Sequence, residues 1–135
     1  MGTNLFMNGL TSGECPESWN IDNPKKIFEI HESFVDAGSD IIVTNTFGGN
    51  QFRLKLHQLE SKVKELNFAG AQLARECAGQ NVHVAGSIGP SGEILEPLGN
   101  LSYEMAVKAF GQQSLGLQKE GRTCYGWKRS PISKR

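Results

Sequence analysis

The sequence predicts an α/β protein whose parallel strands are covered by helices. Three observations carry that prediction. Stretches with one apolar helical face end in glycine at positions 38, 79 and 121. Short apolar runs follow the first two of those glycines, at 41–43 and 82–86. Each run then breaks into a small-residue turn, TNTFGGN at 44–50 and SIGPSG at 87–92. Helix, glycine, strand, glycine-rich loop and helix is the rhythm of α/β units joined by right-handed crossovers.

The first helix is expected over 24–37. Asp22 or Asn23 can cap it, and Pro24 suits its first position. Ile27, Ile30, His31, Phe34 and Val35 fall on one face, and Gly38 ends the helix in the left-handed conformation that glycine adopts cheaply. Ile41-Ile42-Val43 is β-branched and unbroken, as in a strand buried on both faces. The second helix is expected over 60–78, with Val63, Leu66, Gly70, Leu73, Ala74 and Cys77 on its inner side. Val82–Gly86 is the next strand. A third helix starts at a Ser102 cap and runs to about Glu120, with Tyr103, Ala106, Phe110 and Leu117 inward.

Length and composition fit one modest soluble domain: 135 residues, 38% hydrophobic and 21% charged. Net charge is zero, which gives no electrostatic case for nucleic acid or an anionic membrane. No run approaches the roughly 20 apolar residues of a membrane span, and MGTNLFMNGL lacks the basic start and long apolar stretch of a secretory signal. Cys15, Cys77 and Cys124 are odd in number and widely spaced; they form no disulfide framework, and a cytoplasmic location is expected. Residues 122–135 hold five basic residues and no acid. They are expected to be a separate, aberrant basic tail after a 1–121 domain.

In parallel α/β sheets, ligands meet the carboxyl ends of the strands. Thr44-Asn45-Thr46 and Gly86-Ser87 lie at such ends, where hydroxyls, an amide and open backbone N–H groups suit a small polar ligand, notably a carboxylate. The competing reading is turn chemistry, in which Thr and Asn satisfy backbone groups locally; on spacing alone that reading is favoured. Gly2-Thr3 and Gly89–Gly92 could approach an anion, but neither is a dinucleotide or P-loop fingerprint. No metal site is expected: His31 is read as a packed, hydrogen-bonded core histidine, His57 as a surface residue and His83 as a strand residue. Cys77 is read as a small hydrophobe, and no pair has zinc-ligand spacing. Glu93 and Glu96 are read as solvated loop charges.

MGTNLF (1–6), DIIVTNTFGGN (40–50), VAGSIGPSGE (84–93) and the helix before Gly121 together resemble the homocysteine S-methyltransferase family. They are similar in particular to its bacterial betaine–homocysteine methyltransferases and to the homocysteine-binding module of methionine synthases. The resemblance covers residues 1–121 and implies part of a (β/α)8 TIM barrel, roughly the second to fourth βα units. It implies a parent enzyme that moves a methyl group from a small donor, betaine favoured, to the zinc-bound thiolate of homocysteine, giving methionine. Substrate-binding positions carried over are Gly2, Thr3, Asn45, Thr46, Phe47, Gly86 and Ser87, which raises the ligand reading of the TNTFGG turn. The family's zinc cysteines lie in its second half and match none of the three cysteines here. This chain is therefore expected to lack a metal site and to be inactive alone.

The family also continues after Gly121 with an apolar strand ending in Glu-Thr, and that strand is expected to be lost here. One permitted codon set for residues 122–135, read from its third base, spells DMLWVETISNIQK, so a shifted reading frame accounts for the tail. The alternative function is a non-catalytic α/β binding module, and oligomerisation is left open.

Overall fold

The computed structural model describes residues 1–118 and the backbone of 123–127. Pro24 opens a helix, α3 (Pro24–Asp36), that ends before Gly38 at φ +87°. Neither Asp22 nor Asn23 makes the expected side-chain cap; Pro24 lacks an N–H, so the first turn has one donor fewer to satisfy. Ile27, Ile30 and His31 are buried on its inner face, with Phe34 and Val35 half-buried. The next helix begins with a 3-10 turn at Glu60–Lys62 and continues as α5 (Val63–Ala78). The sequence also forms short helices that periodicity could not reveal: α1 (Gly2–Met7), α2 (Trp19–Asp22) and α4 (Gln51–Lys55).

Ile41–Val43 forms β1 and His83–Ile88 forms β2, paired in parallel with Ile42 opposite Val84. β2 runs two residues further than its apolar stretch, placing Ser87 and Ile88 inside the strand rather than in the loop. The helix α6 (Tyr103–Gln118) follows, capped by Ser102, whose hydroxyl accepts the Met105 N–H at 3.2 Å. Tyr103 is 74% exposed rather than inward. The buried face consists of Ala109, Gln113, Gly116 and Leu117, with Ala106 and Phe110 half-buried. Tyr103 is the first residue of the helix.

A strand follows α6, against the expectation that it is lost: the backbone of Thr123–Trp127 forms β3, parallel to β2, in the order β1-β2-β3. A sheet ladder is built from backbone groups, and Thr, Tyr and Trp are good strand formers. Residues 119–122 and 128–135, with the expected helix end near Glu120, the Gly121 stop and most of the basic tail, lie outside the described residues.

Helices cover one face of the sheet. Ile42 and Val84 pack with Ala74 and Ala78 of α5, joined by Phe34 and Val35 of α3. Leu117 of α6 packs on Ala71 and Ile88. The opposite face is open: Ile41 and Val43 are 58% and 47% exposed. The unbroken apolar run thus predicts burial on both faces, while the described residues cover only one.

Candidate functional site

The open face of the sheet leads, at the carboxyl ends of β1 and β2, into a cavity of about 560 Å³. Its lining comes from α1, from the Pro16-Glu17 turn, from Val43 through Phe47, and from Ala85, Gly86 and Ser87. Six of the seven positions carried over from sequence therefore meet in one place: Gly2, Asn45, Thr46, Phe47, Gly86 and Ser87. Thr3 is the exception; it is exposed on α1 and does not line the cavity.

The polar side chains of the turn are committed to the protein itself. The Ser87 N–H donates to Thr44 Oγ1 at 2.9 Å, and the Thr46 hydroxyl donates to the Ser87 carbonyl at 2.8 Å. Thr46 has one hydroxyl proton, so across the 2.6 Å separating the two hydroxyls Thr44 must be the donor. The result is a closed ring from Ser87 N–H through both threonines to Ser87 C=O, which ties the end of β1 to β2. Asn45 donates to the Pro16 carbonyl at 2.7 Å and to Asn20 Oδ1 at 3.1 Å. To this extent the turn-chemistry reading of Thr44, Asn45 and Thr46 holds.

Three buried amides from three helices grip the same turn from behind. Asn20 of α2 donates to the Asn45 carbonyl at 2.8 Å, Gln113 of α6 to the Thr46 carbonyl at 2.8 Å, and Asn67 of α5 to the Gly49 carbonyl at 2.8 Å. The Gly89 N–H takes the Phe47 carbonyl at 2.9 Å. All four carbonyls are occupied, whereas the N–H groups of Asn45, Thr46 and Phe47 make no hydrogen bond to any described residue. Such a stretch offers donors to an anion. A close approach keeps the grip tight: a Cβ at Gly49 would fall 2.5 Å from Asn67 Oδ1, and one at Gly70 would fall 2.7 Å from Asn20 Nδ2.

Sequence reasoning missed Glu17. It is 5% exposed and lines the cavity. Its Oε1 accepts the Gly48 N–H at 2.6 Å and its Oε2 accepts the Cys15 thiol at 3.4 Å. Burial, then the Glu17 charge, raises the Cys15 thiol to about 11 and keeps it a donor. A lone Glu after Cys-Pro carries no periodic signal; only its return to the 44–48 turn across the fold gives it meaning.

The remaining titratable candidates lie elsewhere. His31 is buried as expected, but neither ring nitrogen has a hydrogen-bond partner among the described residues. Burial, with the Met1 amino group as a smaller cause, lowers it to about 4. His57, His83, Glu93 and Glu96 are exposed and do not line the cavity. Burial raises the Cys77 thiol, with Glu32, Asp36 and Glu76 adding to it. Among the described residues, no three His, Cys, Asp or Glu side chains gather as a metal site, and no helix is long and apolar enough to cross a membrane.

Known proteins resemble this architecture. The homocysteine S-methyltransferase family pattern matches residues 1–125. Methionine synthase of Mycobacterium leprae is 32% identical over 133 residues, covering 90% of this chain and 11% of the relative. Methionine synthase of Mycobacterium tuberculosis is 31% identical over the same length and shares. The homocysteine methyltransferase MmuM of Escherichia coli, in its metallated form, superposes with a TM-score of 0.72 at 20% identity, covering 93% of this chain and 50% of that one. Its oxidised form gives 0.71 at 23% identity, covering 90% and 48%. At those identities the likeness to MmuM is one of fold. The chain spans about a tenth of the length of the methionine synthases and about half of MmuM.

Proposed function

The chain belongs to the homocysteine S-methyltransferase family, and on that premise we propose that its cavity holds the amino-acid end of homocysteine. The observation that carries this reading is the convergence of Gly2, Asn45, Thr46, Phe47, Gly86 and Ser87 on one cavity at the strand ends. The substrate carboxylate is assigned to the unbonded N–H groups of residues 45–47, whose own carbonyls are engaged by donors elsewhere in the fold. The three parallel strands, with helices on one face and apolar side chains bare on the other, are read as part of a (β/α)8 barrel whose interior is that bare face. Thr3 is read as supporting α1 rather than touching the ligand.

The whole protein is proposed to transfer a methyl group from a small donor, betaine favoured, to the homocysteine sulfur and release methionine. The zinc that the family resemblance implies does not fit the described residues. Cys15 is held protonated beside Glu17, Cys77 is likewise pushed away from its thiolate, and no third ligand joins either. Its ligands are assigned to residues outside this chain, which alone is expected to make no methionine. The family match does not favour a non-catalytic module. The tail after residue 121 is read as translation in a shifted frame; a coding sequence in which no single-base shift restores the barrel frame refutes that.

Calorimetric titration of the chain with L-homocysteine and, separately, with a sugar phosphate tests the site. Heat of binding with homocysteine alone is expected. Binding of the sugar phosphate alone would overturn the reading in favour of a phosphate-binding barrel.

A further inference from the structure

Among the described residues, the cavity is lined by one charged side chain, and it is an acid. Its other walls are Met1, Leu5, Pro16, Val43, Phe47, Ala85 and small or already bonded polar residues. Removing a carboxylate from water is costly unless its charge is met. Glu17 is 5% exposed, yet among the described residues it makes no ion pair, and the Met1 amino group is not within ion-pair distance. Of the lone-pair positions on its two oxygens, one is used by the Gly48 N–H at 2.6 Å and one by a thiol at 3.4 Å, which is a weak donor.

We infer that Glu17 reads the cationic nitrogen of the ligand: its carboxylate receives the ammonium group of a zwitterionic amino acid inside the cavity. The inference rests on the amino-acid reading of this site and adds a specificity determinant to it. The same residue links the two ends of the ligand. Oε1 pins the Gly48 N–H, which follows directly on the 45–47 N–H groups assigned to the carboxylate. The cavity thus presents a fixed acid, bonded to the Gly48 N–H, and a row of donors that ends at the residue before Gly48, an arrangement that selects α-amino acids over simple acids or simple amines. Gly48 belongs to this device by its lack of a side chain, since a Cβ there would meet Glu17 Oε1 at 3.0 Å.

The test titrates the full 135-residue chain with L-homocysteine, with 3-mercaptopropylamine, which keeps the ammonium and lacks the carboxylate, and with 4-mercaptobutanoate, which keeps the carboxylate and lacks the ammonium. Binding is followed by calorimetry and by the Gly48 amide NMR signal. Wild type is expected to bind homocysteine at least about tenfold more tightly than 4-mercaptobutanoate, the worth of one hydrogen bond to a charged group. Glu17→Gln, which preserves shape and an acceptor for Gly48, is expected to weaken homocysteine and the amine by a similar factor while leaving 4-mercaptobutanoate unchanged or tighter. Equal wild-type binding of homocysteine and 4-mercaptobutanoate overturns the role of Glu17 without needing the variant, and so does a folded Glu17→Gln that binds homocysteine as wild type does; in both cases the homocysteine site survives. Binding of the amine but not of homocysteine leaves Glu17 as a cation reader and removes the amino-acid reading. Binding of none of the three removes both.

Discussion

Gln113 donates its side-chain amide to the Thr46 carbonyl, 67 residues away in sequence. Among the described residues its own oxygen is buried without a partner, so within them the amide serves as a donor alone. Gln113→Leu leaves the Thr46 carbonyl with the Gly49 N–H at 3.0 Å as its remaining donor, and about 0.5–1.5 kcal/mol of stability should disappear with the lost hydrogen bond, measured by urea unfolding. His31 carries a different cost. In the folded chain it stays neutral down to about pH 4, whereas an unfolded histidine takes a proton near pH 6.5. The unfolded state therefore binds more protons as pH falls through that window, and stability falls with it. His31→Leu should remove this contribution: the stability difference between variant and wild type should shift by about 3 kcal/mol in the variant's favour between pH 7 and pH 4, read from denaturation midpoints. A pH-independent difference would show that His31 finds a partner inside the fold. The 24–37 periodicity identifies His31 as inward, but its lack of a partner is invisible in sequence because it depends on what α3 faces.

At the scale of elements, α6 contains two glycines with opposite expected behaviour. Gly116 faces α5, where a Cβ would fall 2.9 Å from Asn67 Cβ and 3.0 Å from the Lys64 carbonyl oxygen. Gly116→Ala should cost about 1–3 kcal/mol through overpacking. Among the described residues, nothing lies within 4 Å of a Cβ at Gly111. Gly111→Ala should stabilise by about 0.5–1 kcal/mol, because alanine loses less backbone freedom in a helix. A thermal melt of each variant decides the pair; loss of stability in both would mean that α6 packs on both faces. Periodicity placed α3 and α5 to within a few residues, since their apolar stripes are dense. On α6 it placed Leu117 inward, with Ala106 and Phe110 half-buried, but it put the exposed Tyr103 inside and did not name Ala109, Gln113 or Gly116. Small residues at a tight helix contact look like polar-face residues when read alone.

Across the whole molecule, Ile41, Val43 and Phe47 expose apolar surface on the uncovered side of a short parallel sheet. Surface of that kind drives association. The chain should self-associate as concentration rises, and Ile41→Lys should shift it toward monomer with a stability change within about 0.5 kcal/mol, as seen by sedimentation velocity alongside urea unfolding. An unchanged sedimentation profile would mean that the open face does not drive association. Local chemistry by itself determined the α/β alternation, the positions of β1 and β2, the glycine stops of the first two helices and the family, because those features depend on neighbours along the chain. It also named six residues that the cavity gathers, since turns at strand ends are local. Only the tertiary structure decided that Thr44 and Thr46 close a ring through Ser87, that Asn20, Asn67 and Gln113 hold the turn, that Thr3 faces away, that residues 123–127 still pair as a strand, and that Glu17 stands in the cavity wall. Each of these is a contact between segments tens of residues apart or a matter of which face is covered, and side-chain identity along a chain does not encode which distant carbonyl or amide it will meet.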